Sequence, residues 1–205
     1  EREALEVRGM NVFGALSLKD AFEALEKKDL FVCLKESPSD MLLSGIPQDA
    51  VCLDGVYFLA ENAEEDFSLV KNQGFLIRAL QIAAAGGHNL LAYGPPGCGK
   101  TLSLQKFPQL LPLLSFEDAA SLTRIYSIAG LLPAVTPLLR IPPFRQPHQT
   151  ATIEGMCGGG PKCLPGEISL AHKGVLFLDE AAEFKSSVLQ MLRVPLEGGS
   201  ITLSR

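Results

Sequence analysis

The sequence has no apolar run approaching the roughly 20 residues needed to cross a bilayer, so no membrane partner is expected. No secretory leader is expected either, because the first residues, Glu1-Arg2-Glu3, are charged. Cysteine is sparse and odd in number: Cys33, Cys52, Cys98, Cys157 and Cys163. None has the close pairing of a metal–thiolate site. Cys157 and Cys163 fall in a Gly-rich loop, where reduced thiols are the simpler reading; that fits a cytoplasmic location. An excess of positive charge is also missing. Eighteen Lys and Arg face 23 Asp and Glu, a net charge of −5, which excludes a broadly basic nucleic-acid coat but not a local basic patch. What is present is apolar material: 47% of the 205 residues, enough for the core of one domain and part of another.

The most informative stretch is Gly94-Pro95-Pro96-Gly97-Cys98-Gly99-Lys100-Thr101. It satisfies the phosphate-loop pattern G-x-x-x-x-G-K-[ST] at every fixed position. Glycines allow the backbone to turn several N–H groups toward one phosphate chain. Lys100 would reach the β- and γ-phosphates, and the Thr101 hydroxyl would bind Mg²⁺. The following helix, beginning near Leu102, would add its positive end to the anion site. A Gly/Pro turn ending in lysine would show the same letters. The setting argues against that: residues 89–93 read as a short buried strand and residues 102–114 as a helix. The nucleotide cradle is therefore expected at Gly94, Pro95, Pro96, Gly97, Cys98, Gly99, Lys100, Thr101 and Leu102.

A second motif, Gly174-Val175-Leu176-Phe177-Leu178-Asp179-Glu180, is an apolar run ending in two acids. Without polar alternation it suits a parallel strand covered on both faces. Ligands of such sheets bind beyond the carboxyl ends of the strands. Asp179 is expected to hold Mg²⁺ with Thr101, and Glu180 to orient and activate the attacking water. Lys100, Asp179 and Glu180 are the expected catalytic residues, with ATP and Mg²⁺ as cofactors. Two such strands separated by mostly helical sequence indicate a doubly wound α/β domain of the P-loop NTPase class.

The chain is expected to divide at an acidic linker, residues 61–66. Before it, residues 4–13, 31–34 and 51–59 suggest strands. Ser17 would cap a helix running to Lys28. After it, residues 69–85 read as a helix closed by Gly86-Gly87. Residues 116–132 read as another, with Ala119, Ala120, Leu122, Ile125 and Ile128 as its apolar positions. Pro133, Pro137, Pro142 and Pro143 then break regularity. Residues 144–152 are expected to carry a further strand, and Gly158-Gly159-Gly160-Pro161-Lys162 a flexible loop. Arg145, His148, Lys162 and Lys173 supply cationic or donor groups that could meet nucleic-acid phosphate.

The string Pro143-Phe144-Arg145-Gln146-Pro147-His148, the triple glycine, and the run from Pro165 to Glu180 resemble the ComM/YifB family of magnesium chelatase-like AAA+ ATPases. The resemblance runs from about Asp66 to Arg205 and takes in Gly86-Gly87-His88-Asn89-Leu90-Leu91. It implies an AAA+ core at residues 67–205, with Walker A at Gly94 to Thr101 and Walker B at Val175 to Glu180. Residues 1–60 are similar to the end of that family's Lon-protease-like, ribosomal S5-like α+β domain. The family implies a hexameric ring of identical subunits, driven by ATP. Its ComM-type members are regarded as helicases that promote branch migration in transformation, so single-stranded or branched DNA is the implied partner. The Gly-rich loop at residues 157–165 would fall in a pore-facing insert. Arg193, Arg205 or an arginine beyond the chain end would act across a subunit boundary.

The chain departs from the family pattern at Ala181-Ala182, where Leu-Pro is usual, and at Val194, where Glu is usual. The sensor asparagine and helical lid are expected beyond Arg205. A second class of function fits the same motifs: a nucleotide-gated chelatase-type or remodelling subunit without DNA activity. No Ser–Lys pair stands in a catalytic setting, so proteolysis is not expected.

Overall fold

Asp54-Gly55 builds the first element. Both residues are left-handed, with φ of 50° and 81°, as a two-residue hairpin turn of the twist-matched kind requires. They join β1 (Val51–Leu53) to β2 (Val56–Phe58) in antiparallel register, Val51 opposite Phe58. The single strand expected over residues 51–59 is therefore a hairpin. The structure, a computed structural model, describes residues 45–60, 70–133 and 138–201, together with Ser17, Lys19, Phe22 and Phe67. The strands expected at residues 4–13 and 31–34, the linker at 61–66 and Arg205 lie outside the described residues. Of the helix expected from Ser17, Lys19 and Phe22 are helical.

Helix α1 (Gly74–Gly86) buries Leu80 and Ala83 and ends where Gly87 turns left-handed, its N–H closing on the Ala83 carbonyl. Residues 88–93 then run without a ladder partner among the described residues. The buried strand expected there is not formed: Leu91 is 86% and Tyr93 99% exposed. A strand needs a neighbour for its backbone groups, and no described strand lies alongside. The phosphate-loop motif leads into α2 (Lys100–Gln105). The helix expected to reach residue 114 stops early, because Pro108 has no N–H to continue the ladder. A 3-10 turn, Phe107–Leu110, takes over.

Leu113 N–H then bonds the Tyr57 carbonyl at 2.7 Å and Leu114 N–H the Arg140 carbonyl at 2.7 Å, tying this segment to the hairpin and to the chain after α3. Helix α3 (Phe116–Ala129) starts at Ser115, whose hydroxyl accepts the Asp118 N–H, and stops at left-handed Gly130. Phe116 and Ala119 pack with Leu138, and Leu114 and Ala120 flank them. Of the apolar positions expected, Ala119 and Leu122 are buried while Ile128 is exposed.

The parallel pairing lies between β3 (Phe144–Arg145) and β6 (Val175–Leu176). The Phe144 and Phe177 rings stack with centroids 5.6 Å apart. Only two residues of the strand expected over 144–152 join the ladder. Among the described residues the parallel pairing stops at these two strands, so the wider doubly wound sheet is not seen there. The mixed order of helices and parallel strands is that of an α/β protein. The triple glycine is no simple loop. After α4 (Ile153–Cys157), β4 (Gly158–Gly159) pairs antiparallel with β5 (Leu164–Pro165). A Cβ on Gly158 would lie 2.5 Å from the Leu164 carbonyl oxygen, so the hairpin closes only over glycine. Helix α5 (Glu167–Leu170) follows, and α6 (Ser186–Gly198) completes the described chain. Met156, Phe184 and Val188 form a second core beneath the carboxyl end of β6, with Leu176 and Leu178 packed on it.

Candidate nucleotide site

The phosphate-loop residues fold around two left-handed glycines, Gly97 with φ of 77° and Gly99 with φ of 81°. Gly99 caps α2, and its carbonyl accepts both the Ser103 N–H at 3.1 Å and the Ser103 hydroxyl at 2.9 Å. Ser103 is fully buried, so the start of α2 is anchored from below. The Lys100 ammonium donates to the Gly94 carbonyl at 2.8 Å and the Pro95 carbonyl at 2.6 Å. It also lies 3.4 Å from Cys98 Sγ, which donates to the Pro95 carbonyl. Pro95, Pro96 and Gly97 are exposed, and Leu102 is 48% exposed.

The Thr101 hydroxyl donates to Asp179 Oδ1 at 3.4 Å, across 78 positions of sequence. The parallel strand β6 delivers Asp179 to this point, and α2 delivers Thr101. One hydroxyl and one carboxylate, both hard oxygen donors, suit Mg²⁺, which takes few protein ligands and keeps water and phosphate as the rest. Glu180 is exposed and left-handed, with φ of 51°. Its N–H donates to Asp179 Oδ1 at 3.1 Å, and its carboxylate accepts the Gln149 side-chain amide at 2.6 Å. A non-glycine residue seldom adopts this backbone. The first turn of the 3-10 segment Ala181–Glu183 holds it there, through Glu183 N–H to the Glu180 carbonyl.

Gln149 and Gln73 were not singled out by sequence. Gln149 reaches Glu180 from 31 positions away. Gln73 donates to the Cys98 carbonyl at 2.6 Å from 25 positions away. No local spacing announces either contact.

The basic groups are only partly available. Arg145 makes a two-pronged pair with Glu167, both bonds 2.7 Å, and is half-buried. That bond raises the Arg145 pKa further, against the opposing effect of burial. Lys173 pairs with Asp118 at 3.0 Å, and this bond holds the Asp118 carboxyl below its ordinary value. His148 Nδ1 faces the Thr150 hydroxyl at 2.9 Å. Arg145 and Lys173, expected as phosphate contacts, are thus engaged within the fold. Lys162 is exposed in the turn of the β4–β5 hairpin. Arg193 is exposed and pairs with Glu197 one turn along its own helix.

A family model described as magnesium chelatase, subunit ChlI, matches residues 66–205. The chain belongs to the magnesium chelatase family. Within this family, an uncharacterised protein of Mycobacterium tuberculosis is 50% identical over 128 residues, 62% of this chain and 25% of the relative. The uncharacterised protein YifB of Escherichia coli is 49% identical over 142 residues, 69% of this chain and 28% of the relative. The competence protein ComM of Haemophilus influenzae is 45% identical over 141 residues, 68% of this chain and 27% of the relative. The chain spans about a quarter of the length of the relatives it matches. Magnesium chelatase family members are of the AAA+ ATPase type. Among the described residues no helix is long and apolar enough to cross a membrane.

Proposed function

We propose that this chain carries the nucleotide pocket of an ATP-driven AAA+ motor, a hexameric ring in the whole protein, that acts on single-stranded or branched DNA. One observation carries the reading: the Thr101 hydroxyl and the Asp179 carboxylate meet at 3.4 Å beside the phosphate loop. Residues 94–102 cradle the triphosphate, the donors being the main-chain N–H groups of the members other than Pro95 and Pro96. Lys100 exchanges the Gly94 and Pro95 carbonyls for phosphate oxygens. Thr101 and Asp179 hold Mg²⁺, which when bound neutralises charge on the phosphates. Glu180 accepts a proton from the attacking water and orients it. Gln149, by holding the Glu180 carboxylate, sets where that oxygen points.

Thermal stability with and without Mg-ATP tests the pocket. Ligand at a hundred times Kd should add about 2.7 kcal/mol to the parent chain and nothing to Lys100→Ala. Equal stabilisation of both would remove Lys100 from the site. Hydrolysis is a separate matter. An arginine supplied in trans typically contributes about 10³–10⁵ in rate, so the chain alone should bind ATP and turn it over slowly.

The DNA reading draws support from the relative named a competence protein and from Lys162 on its exposed hairpin. The description of the family model supports a second reading, a chelatase-type subunit without DNA activity. Salt-dependent binding of branched DNA by the whole protein supports the first. No binding at low salt supports the second.

A further inference from the structure

Gln73 occupies the N-cap position of α1 and caps nothing, since its side chain makes no bond to its own helix. Good N-caps are short acceptors such as Ser, Thr, Asp and Asn. The Gln73 amide instead crosses to the phosphate loop and donates to the Cys98 carbonyl at 2.6 Å. The backbone prepares this reach. Asn72, left-handed with φ of 61°, turns the chain just before the helix, and asparagine tolerates that conformation better than most residues.

The acceptor lies between the two left-handed glycines of the loop. A trans peptide is planar, so the Cys98 carbonyl and the Gly99 N–H point in opposite directions. Holding the carbonyl toward α1 therefore aims the N–H away from it. Among the described residues, the Gly99 N–H donates to no protein acceptor. The carbonyls at the other side of the loop, Gly94 and Pro95, are held by Lys100. Both ends of α1 thus reach the loop: its start through Gln73, its end through Gly87 and residues 88–93, which lead into Gly94.

We propose that Gln73 is a positioning residue of the phosphate loop. By holding the Cys98 carbonyl it fixes the Cys98–Gly99 peptide plane, and so the direction of an N–H that would donate to a phosphate oxygen. The proposal rests on the nucleotide-binding reading and adds a residue that lies outside the loop motif.

The test is an equilibrium titration of the 205-residue chain with a fluorescent ATP analogue and Mg²⁺, alongside melting curves without nucleotide. Gln73→Ala should weaken binding about five- to tenfold, the effect of one lost hydrogen bond. Gln73→Glu places an acceptor against an acceptor at pH 8 and should bind more weakly still. Lowering the pH to about 5 begins to protonate that carboxyl, which then donates to the carbonyl. Its affinity relative to the parent at the same pH should recover. A residue that merely packs would lower the melting temperature and show no such recovery. Parent-like binding by Gln73→Ala overturns the proposal, as does a Gln73→Glu ratio that ignores pH. If Gln73→Ala does not fold, the Gln73→Glu ratio decides. Failure of the parent itself to bind would sink the nucleotide reading as a whole, a different result from binding that ignores Gln73.

Discussion

Lys100 and Thr101 are neighbours whose side chains have opposite partners: loop carbonyls for one, the Asp179 carboxylate for the other. The fixed spacing of the phosphate-loop motif made this corner legible, because the chemistry needs those residue types at those positions. Glu180 was legible as the acid after an apolar strand, but its backbone was not. Its left-handed φ goes with the 3-10 turn that follows, and its carboxylate is held by Gln149 from a distant segment. Glu180→Gln is expected to keep nucleotide binding and lower turnover of the whole protein by at least about a hundredfold, the scale of a lost general base. Unchanged turnover would mean that another group handles the water. Gln149→Ala should lower turnover less and leave binding intact, which a side-by-side measurement of kcat and Kd would show. Arg193 makes an exposed pair within one helix, worth under about 0.5 kcal/mol. Arg193→Ala should therefore leave stability nearly unchanged, and any large loss of turnover in the whole protein would place the residue at a neighbouring subunit.

Elements were legible where a cap or a breaker acts locally. Gly87 ends α1 through a contact within a few residues, whereas left-handed Gly130 stops α3 short of the expected residue 132. Pro108 and Asp54-Gly55 carried equally local signals, which an apolar run masked. The segment at 88–93 could not be settled locally, because a strand is defined by its neighbour. Leu80 and Leu122 are each 1% exposed, and truncating either to alanine should cost about 2–5 kcal/mol, measured by denaturant unfolding. Gly158→Ala should open the β4–β5 hairpin, seen as faster amide exchange at Gly159 and Leu164. His172, half-buried between Ala171 and Lys173, has a pKa below its ordinary 6.5, chiefly through burial. A depressed histidine pKa means the unfolded chain binds the proton more readily. Its contribution is therefore intact above 6.5 and is lost as the pH falls through the lower folded value. His172→Asn should flatten that part of the stability–pH curve, and a curve unchanged by the substitution would show that burial of this ring is not the cause.

On the scale of the whole molecule, the apolar content and the order of motifs indicated an α/β nucleotide-binding chain. The extent of its sheet was not legible, because parallel partners come from distant sequence. The chain spans about a quarter of its relatives, so the proposed ring assembly and DNA action are to be tested on the whole protein. If the DNA reading is right, Lys162→Glu in that protein should weaken single-strand binding at all sequences alike and reduce the salt slope by about one. The pocket itself is testable now. Nucleotide affinity should be measured with Mg²⁺ and with chelator, in the parent and in Thr101→Ala and Asp179→Ala. The account predicts that Mg²⁺ tightens ATP binding in the parent and has little effect in either variant. An equal Mg²⁺ effect in all three would contradict it.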